Sequence, residues 1–382
     1  MHRPSIHHVT WGILALVLGC NQTLDPQADD DTDAPPLTSE GLLEQLDAPG
    51  AHQAGYRTSS VGYIPAGAED ERTLRLAWWY PTDATNGPYP TYQGQEQPGI
   101  FLDVPPADGP FPVMVFSHGH QGLAENMGRA MAHLATHGWV VVAPDHPGNT
   151  LFDGGDRDAT GYLHRPLDVS AVIDHLEALP AEHPLAGRVD TEVIAASGHS
   201  FGGYTLMPLL GARFAAEPWE ACAGDEPPPR CDAYDEGLAA IVADGAADPR
   251  IGAGVFVAAG NVDLFGAEGL GHIDRPVLQL TGDLDGSVRN EDNGDPLWAA
   301  LPGPDQFRAN LAHGDHQSFT DFAGVSLPGT SPDSLEPERA ARITRVYLTA
   351  FVEYALRDNA LAEAILTGEV QVDDDVTVSH KP

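Results

Sequence analysis

Lysine is almost absent from this chain: Lys381 is the one example in 382 residues, so the positive charge is nearly all arginine. Lys and Arg together number 19 against 56 Asp and Glu, a formal net charge of −37. A surface this acidic excludes nucleic acid as a partner and repels anionic lipid headgroups. It fits a solvated shell suited to saline surroundings better than a funnel for a cationic substrate. Sustained heptads and repeats of solenoid period are missing as well. An apolar run over residues 11–18 is too short to cross a bilayer as a helix. Cysteine is scarce, with three in the whole chain.

What is present suits one large α/β domain with appendages, since 42% of the residues are hydrophobic and the length allows a full core. Arg3 and three histidines precede the apolar run, and Val17-Leu18-Gly19-Cys20 ends it. This is a targeting segment. The small residue before Cys20 resembles a bacterial lipobox, so residues 1–19 are expected to be a signal peptide and Cys20 to carry lipid, an ordinary secretory peptide being the alternative. Residues 20–50, acidic and proline-bearing, read as a tether. The catalytic domain is expected over 51–360 and an acidic, partly disordered tail over 361–382. Export makes a Cys222–Cys231 disulfide the natural reading of the remaining cysteines. Their spacing is wrong for the usual zinc knuckles.

Along the chain, 56–64 and 74–80 read as antiparallel strands and 82–110 as a loop. Pro112-Val113-Met114-Val115-Phe116 and Trp139-Val140-Val141-Val142-Ala143 are continuous apolar runs, as strands buried on both faces of a parallel sheet require. A helix is expected between them over 124–137, and another over 167–179. Further strands are expected at 193–196, 254–259, 276–281 and 305–311, and a last helix over 337–356. The predicted fold is therefore α/β, a mostly parallel central sheet with antiparallel N-terminal strands and helices on both faces.

Gly198-His199-Ser200-Phe201-Gly202-Gly203 lies between a strand and a helix. That is G-x-S-x-G in the setting of a nucleophile elbow, where glycines let strand and helix pass close to an exposed serine. Candidate partners follow in the order acid then base, each at the end of a predicted strand: Asp283 or Asp285, then His313 or His316. A serine hydroxyl needs a histidine to take its proton, and the histidine needs a carboxylate to fix its tautomer. Two backbone N–H groups should face the developing oxyanion: that of Phe201, after the serine, and by analogy with the fold that of His120. His118-x-His120 with His146 or Asp145 also invites a metal, but the oxyanion turn accounts for the histidines there, and no metal is expected.

Phe116-Ser117-His118-Gly119, the Gly198–Gly203 motif and His316-Gln317-Ser318-Phe319-Thr320-Asp321-Phe322 together resemble the plasma-type platelet-activating factor acetylhydrolases and their dienelactone-hydrolase-like bacterial relatives. Pro144-Asp145-His146-Pro147-Gly148 and Arg165-Pro166-Leu167-Asp168 look like the bacterial group. The resemblance runs from about residue 56 to 356. It implies an α/β-hydrolase fold and a Ser200-His316-Asp285 triad, selecting Asp285 over Asp283 and His316 over His313. It also implies a serine carboxylesterase for short-acyl or phospholipid-derived esters, with no cofactor and an ester as its small-molecule or lipid partner, which the N-terminal segment would export. Membrane attachment would come only through Cys20. Dienelactone hydrolase proper has a cysteine nucleophile where this chain has Ser200. Polyester, thioester or amide hydrolysis on the same triad, or a non-catalytic binding lipoprotein, are the alternatives. Oligomeric state stays open.

Overall fold

The computed structural model describes residues 36–65, 68–153 and 158–381. The expected signal peptide and Cys20 lie outside the described residues. Residues from Leu37 onward form one compact unit.

The unit opens with α1 (Ser39–Asp47), then β1 (Gln53–Tyr63), β2 (Arg72–Thr82), a small hairpin of β3 (Thr91–Tyr92) and β4 (Gln95–Glu96), and β5 (Ile100–Leu102). The α/β part follows: β6 (Phe111–Ser117), α2 (Gly128–Thr136), β7 (Val140–Pro144), α3 (Ala159–Glu177), β8 (Val189–His199) and α4 (Phe201–Leu209). After α5 (Glu217–Glu220) and α6 (Glu236–Asp244) come β9 (Ile251–Val257), α7 (Gly266–Leu270), β10 (Val277–Gly282), α8 (Asp295–Ala300) and β11 (Gln306–Leu311). The chain closes with α9 (Pro337–Arg357), α10 (Glu363–Leu366) and β12 (Val376–Lys381).

Ten strands join in one sheet, β12-β11-β10-β9-β8-β6-β7-β2-β1-β5. From β7 to β11 the neighbours run parallel, the pairs β7–β2, β2–β1 and β11–β12 are antiparallel, and β5 lies parallel to β1 at the edge. Alternation along each strand sends side chains to two separate cores. Trp79, Met114, Phe116 and Val141 pack under α1, α2 and α9, whereas Trp78, Val113, Val115, Val140 and Val142 pack under α3, α4 and α6. Both faces are covered, hence the uninterrupted apolar runs.

The structure departs from expectation where side chains compete for the backbone. The helix expected over 124–137 starts only at Gly128, because the Leu123 and Ala124 amides donate to Asn126 Oδ1 (2.9 Å) and Asp145 Oδ1 (2.8 Å). The helix expected from 167 starts at Ala159, where Asp158 caps the Gly161 amide at 2.9 Å. Pro166 lies inside it and cannot donate to the Tyr162 carbonyl. Tyr204 Oη–H from α4 donates there instead, at 2.9 Å. The acidic tether does not reach residue 50: α1 docks on α9, with Asp47 accepting from Arg342 (2.6 Å) and Arg345 (3.1 Å). Nor are the described residues 361–381 of the expected tail disordered. They carry α10 and β12, and Asp373 and Asp375 both pair with Arg339.

Candidate active site

Strand β6 is followed by β7 on one side of it, and β8 returns to the other side. The loops after β6 and β8 therefore diverge and open a crevice at the carboxyl end of the sheet. A cavity of about 780 Å³ lies there, lined among others by Gly119, His120, Ser200 and His316.

Ser200 links β8 to α4 with φ 55° and ψ −116°, backbone that a residue with a Cβ rarely adopts. The turn is forced by close packing. A Cβ on Gly198 would lie 2.2 Å from the Gly202 carbonyl oxygen, and one on Gly202 1.9 Å from the Ser117 carbonyl oxygen. Ser200 N–H donates to Val257 O at 2.8 Å, tying the turn to β9. Helix α4 begins at Phe201, so its positive end sits beside the serine.

Asp285 follows β10. Its Oδ1 accepts the amides of Ser287 (2.8 Å) and Val288 (2.6 Å), and its Oδ2 lies 2.7 Å from His316 Nδ1. Both residues of the pair are buried. With Nδ1–H on Asp285, His316 keeps its lone pair on Nε2. The competing candidates do not join them: Asp283 is exposed and accepts from Asn310 Nδ2 at 2.8 Å, and His313 is exposed at φ 61°. Two further residues hold His316 in place. Asp315 ties its own loop by accepting the amides of Gln317, Ser318 and Ser331. His199 Nε2 donates to the His316 carbonyl at 2.9 Å, and burial, then the neighbouring His316 ring, pushes the His199 imidazole down to about 3.

Gly119 and His120 wall the serine side; a Cβ on Gly119 would stand 3.4 Å from Ser200 Cβ. His118 points inward. Its Nδ1 donates to Gly119 O (2.7 Å), and its Nε2 accepts the His146 amide (3.1 Å). Both nitrogens are thereby used. Among the described residues no cluster of metal ligands is present. Beneath lies a second Ser-His-Asp series: Ser117 Oγ to His146 Nε2 at 2.9 Å, and His146 Nδ1 to Asp168 at 2.8 Å. All three are 0% exposed, out of reach of any substrate. Burial raises the Asp168 carboxyl, but His146 and Arg72 outweigh it and hold it at about 2. Burial, then Arg165, pushes His146 down to about 3. Ser117, His146, Asp168 and His199 all fall within the motifs that carry the resemblance, but their pairing escapes a sequence reading because the contacts join residues 22 to 117 positions apart.

Cys222 and Cys231 are joined by a disulfide, their Cα atoms 5.2 Å apart. Among the described residues no helix is long and apolar enough to cross a membrane.

The chlorophyllase family model matches residues 90–215, a stretch that includes Ser200 and ends before Asp285 and His316. Of solved structures, the ferulic acid esterase from Streptomyces cinnamoneus is 22% identical, with a TM-score of 0.61, over 87% of this chain and 98% of that one. No curated protein matches the sequence. The chain has the α/β-hydrolase fold.

Proposed function

We propose that the protein is a serine carboxylic ester hydrolase. Ser200 Oγ attacks the ester carbonyl while His316 Nε2 takes its proton, and Asp285 holds the imidazole and stabilises the imidazolium. The amides of His120 and Phe201 bind the oxyanion. The tetrahedral adduct collapses by breaking the carbon–alkoxy bond, the alcohol leaving with the proton from His316. A water, deprotonated by His316, then cleaves the acyl-enzyme and restores Ser200. No cofactor enters. The carrying observation is the buried 2.7 Å Asp285–His316 contact facing the same cavity as Ser200.

The cavity mouth supports an uncharged, largely apolar ester, of which the short-acyl esters of the acetylhydrolase-like resemblance are one case. Leu151, Val325 and Leu327 line it and are 59%, 47% and 39% exposed, and Phe152, beside Leu151, is 82% exposed. Apolar groups left in water around a cavity mark a binding rim. Asp263 is the one carboxylate among the described lining residues, which include no Lys or Arg. A buried anionic substrate would therefore lack a counter-charge. Export through a lipoprotein signal with lipid on Cys20 is proposed with it, and the disulfide supports an oxidising compartment.

Hydrolysis of p-nitrophenyl esters from acetate to long acyl chains, wild type beside Ser200→Ala, tests the proposal. Turnover that disappears in the variant is expected. Turnover that survives it, or failure of Ser200 to react with a serine-directed phosphonate, would overturn the reading and favour a binding scaffold.

A further inference from the structure

Arg165 of α3 is 0% exposed. A guanidinium is costly to take out of water, and a leucine would fill an apolar site without that cost. Its donors show what it does there. One terminal nitrogen donates to the His118 carbonyl and, at 3.2 Å, to Ser117 Oγ. The other donates to Asn149 Oδ1 at 2.9 Å, and Asn149 Nδ2 in turn lies 2.9 Å from His120 Nδ1. The guanidinium carbon stands 4.6 Å from the centre of the Phe201 ring. One buried cation thus reaches both walls of the proposed oxyanion site: the 118–120 turn, through its backbone and through Asn149, and Phe201 at the start of α4.

We infer that Arg165 and Asn149 are positioning residues for the oxyanion site, setting where the His120 and Phe201 amides stand relative to Ser200. The peptide is planar and trans, so fixing the His118 carbonyl on Arg165 fixes the direction of the Gly119 N–H and the start of the turn that follows. Asn149 fixes the other end by holding the His120 ring. The planar fork of arginine serves both loops at once, and a lysine ammonium, a point charge on a flexible stem, does not. Neither residue is among those lining the cavity, so each acts through the 118–120 turn, Arg165 through the His118 carbonyl and Asn149 through the His120 ring.

The inference rests on the ester-hydrolase reading. Its test takes the full chain as wild type, Arg165→Lys and Asn149→Ala, with active sites counted by phosphonate titration so that misfolded protein is not scored as slow protein. Per titrated site, kcat on p-nitrophenyl butyrate should fall about 10- to 100-fold in both variants, with KM within about twofold. Affinity for a butyl trifluoromethyl ketone, whose serine adduct carries an oxyanion, should fall by the same factor. A purely structural role would lower the titrated fraction and the melting temperature and leave kcat per site unchanged. That result in Asn149→Ala, which keeps the cation, or a loss confined to KM, overturns the inference. Absence of turnover and titration in the wild type would instead overturn the ester-hydrolase reading itself.

Discussion

At Ser200 the backbone stands at φ 55° and ψ −116°, a conformation open to glycine and strained for serine. Ser200→Gly should abolish ester turnover yet raise stability by about 1 kcal/mol, measured as a higher denaturant midpoint; an unchanged or lower midpoint would show the turn to be unstrained. The Asp285 carboxylate accepts two amides as well as the His316 ring. Asp285→Asn should keep the fold and lower kcat by about 10⁴-fold, because an amide there no longer enforces the Nδ1–H tautomer; a loss below about tenfold in steady-state kinetics would remove Asp285 from its proposed role. Residues of this kind are legible in sequence because each is announced by short-range pattern: glycines pressed against a turn, an acid or histidine just past an apolar strand. Choosing Asp285 over Asp283 needed a family turn pattern, since both lie in one loop. Arg165 opens a motif that carries the resemblance, but nothing in that motif points to the oxyanion site, and Asn149 carries no mark at all. Their meaning resides in contacts across three loops.

Strands β6 and β7 declare themselves as unbroken apolar runs because both faces of the sheet are covered. Strand β12 does not. It alternates Val376 and Val378 with polar residues directly after three aspartates, so composition reads as tail, and only the pairing with β11 and the Arg339 bridges to Asp373 and Asp375 make it sheet. The early start of α3 was hidden for a similar reason: Pro166 is tolerated because Tyr204, 42 positions after Tyr162, donates to the Tyr162 carbonyl in its place. Removing residues 369–382 should cost about 3 kcal/mol for the buried Val372 and Val376 alone and leave β11 as a bare edge. Size-exclusion chromatography should show aggregation of the shortened chain; a monomer of wild-type stability would mean that β12 contributes little.

Across the whole molecule, histidines that burial holds below their ordinary value govern acid stability, among them His133 and His183 at about 4 and three that are fully enclosed. Burial, the largest cause for each, holds His146 and His199 down to about 3 and His118 well below its ordinary value. In the unfolded chain they titrate near 6.5, so the stability they represent is complete above that pH. It is lost as pH falls from about 6.5 toward 3, at about 1.4 kcal/mol per pH unit for each histidine. Asp321, which burial pushes up to about 6, and Asp145, which burial also raises, work in the opposite sense. The slope of unfolding free energy between pH 6 and 4.5 should be shallower by about 1.4 kcal/mol per unit in His199→Gln; an equal slope would show that His199 is protonated in the fold. The net charge of −37 predicts a second dependence. Screening at about 1 M salt shrinks the Debye length to about 3 Å and relieves carboxylate repulsion, so the melting temperature should rise with sodium chloride. A flat or falling curve would count against the saline-habitat reading.

Because β12 pairs antiparallel with Gln306 opposite Lys381, the single lysine stands at the amino-terminal end of the parallel strands, the far end of the sheet from Ser200. Its ammonium is half-buried, donating to the Trp298 and Leu301 carbonyls over the Trp298 ring. The chain therefore carries one side-chain handle for amine-directed chemistry, on the face opposite its cavity. Coupled to a bead or a dye through that handle, every molecule would be held in the same orientation, its mouth turned outward to the medium.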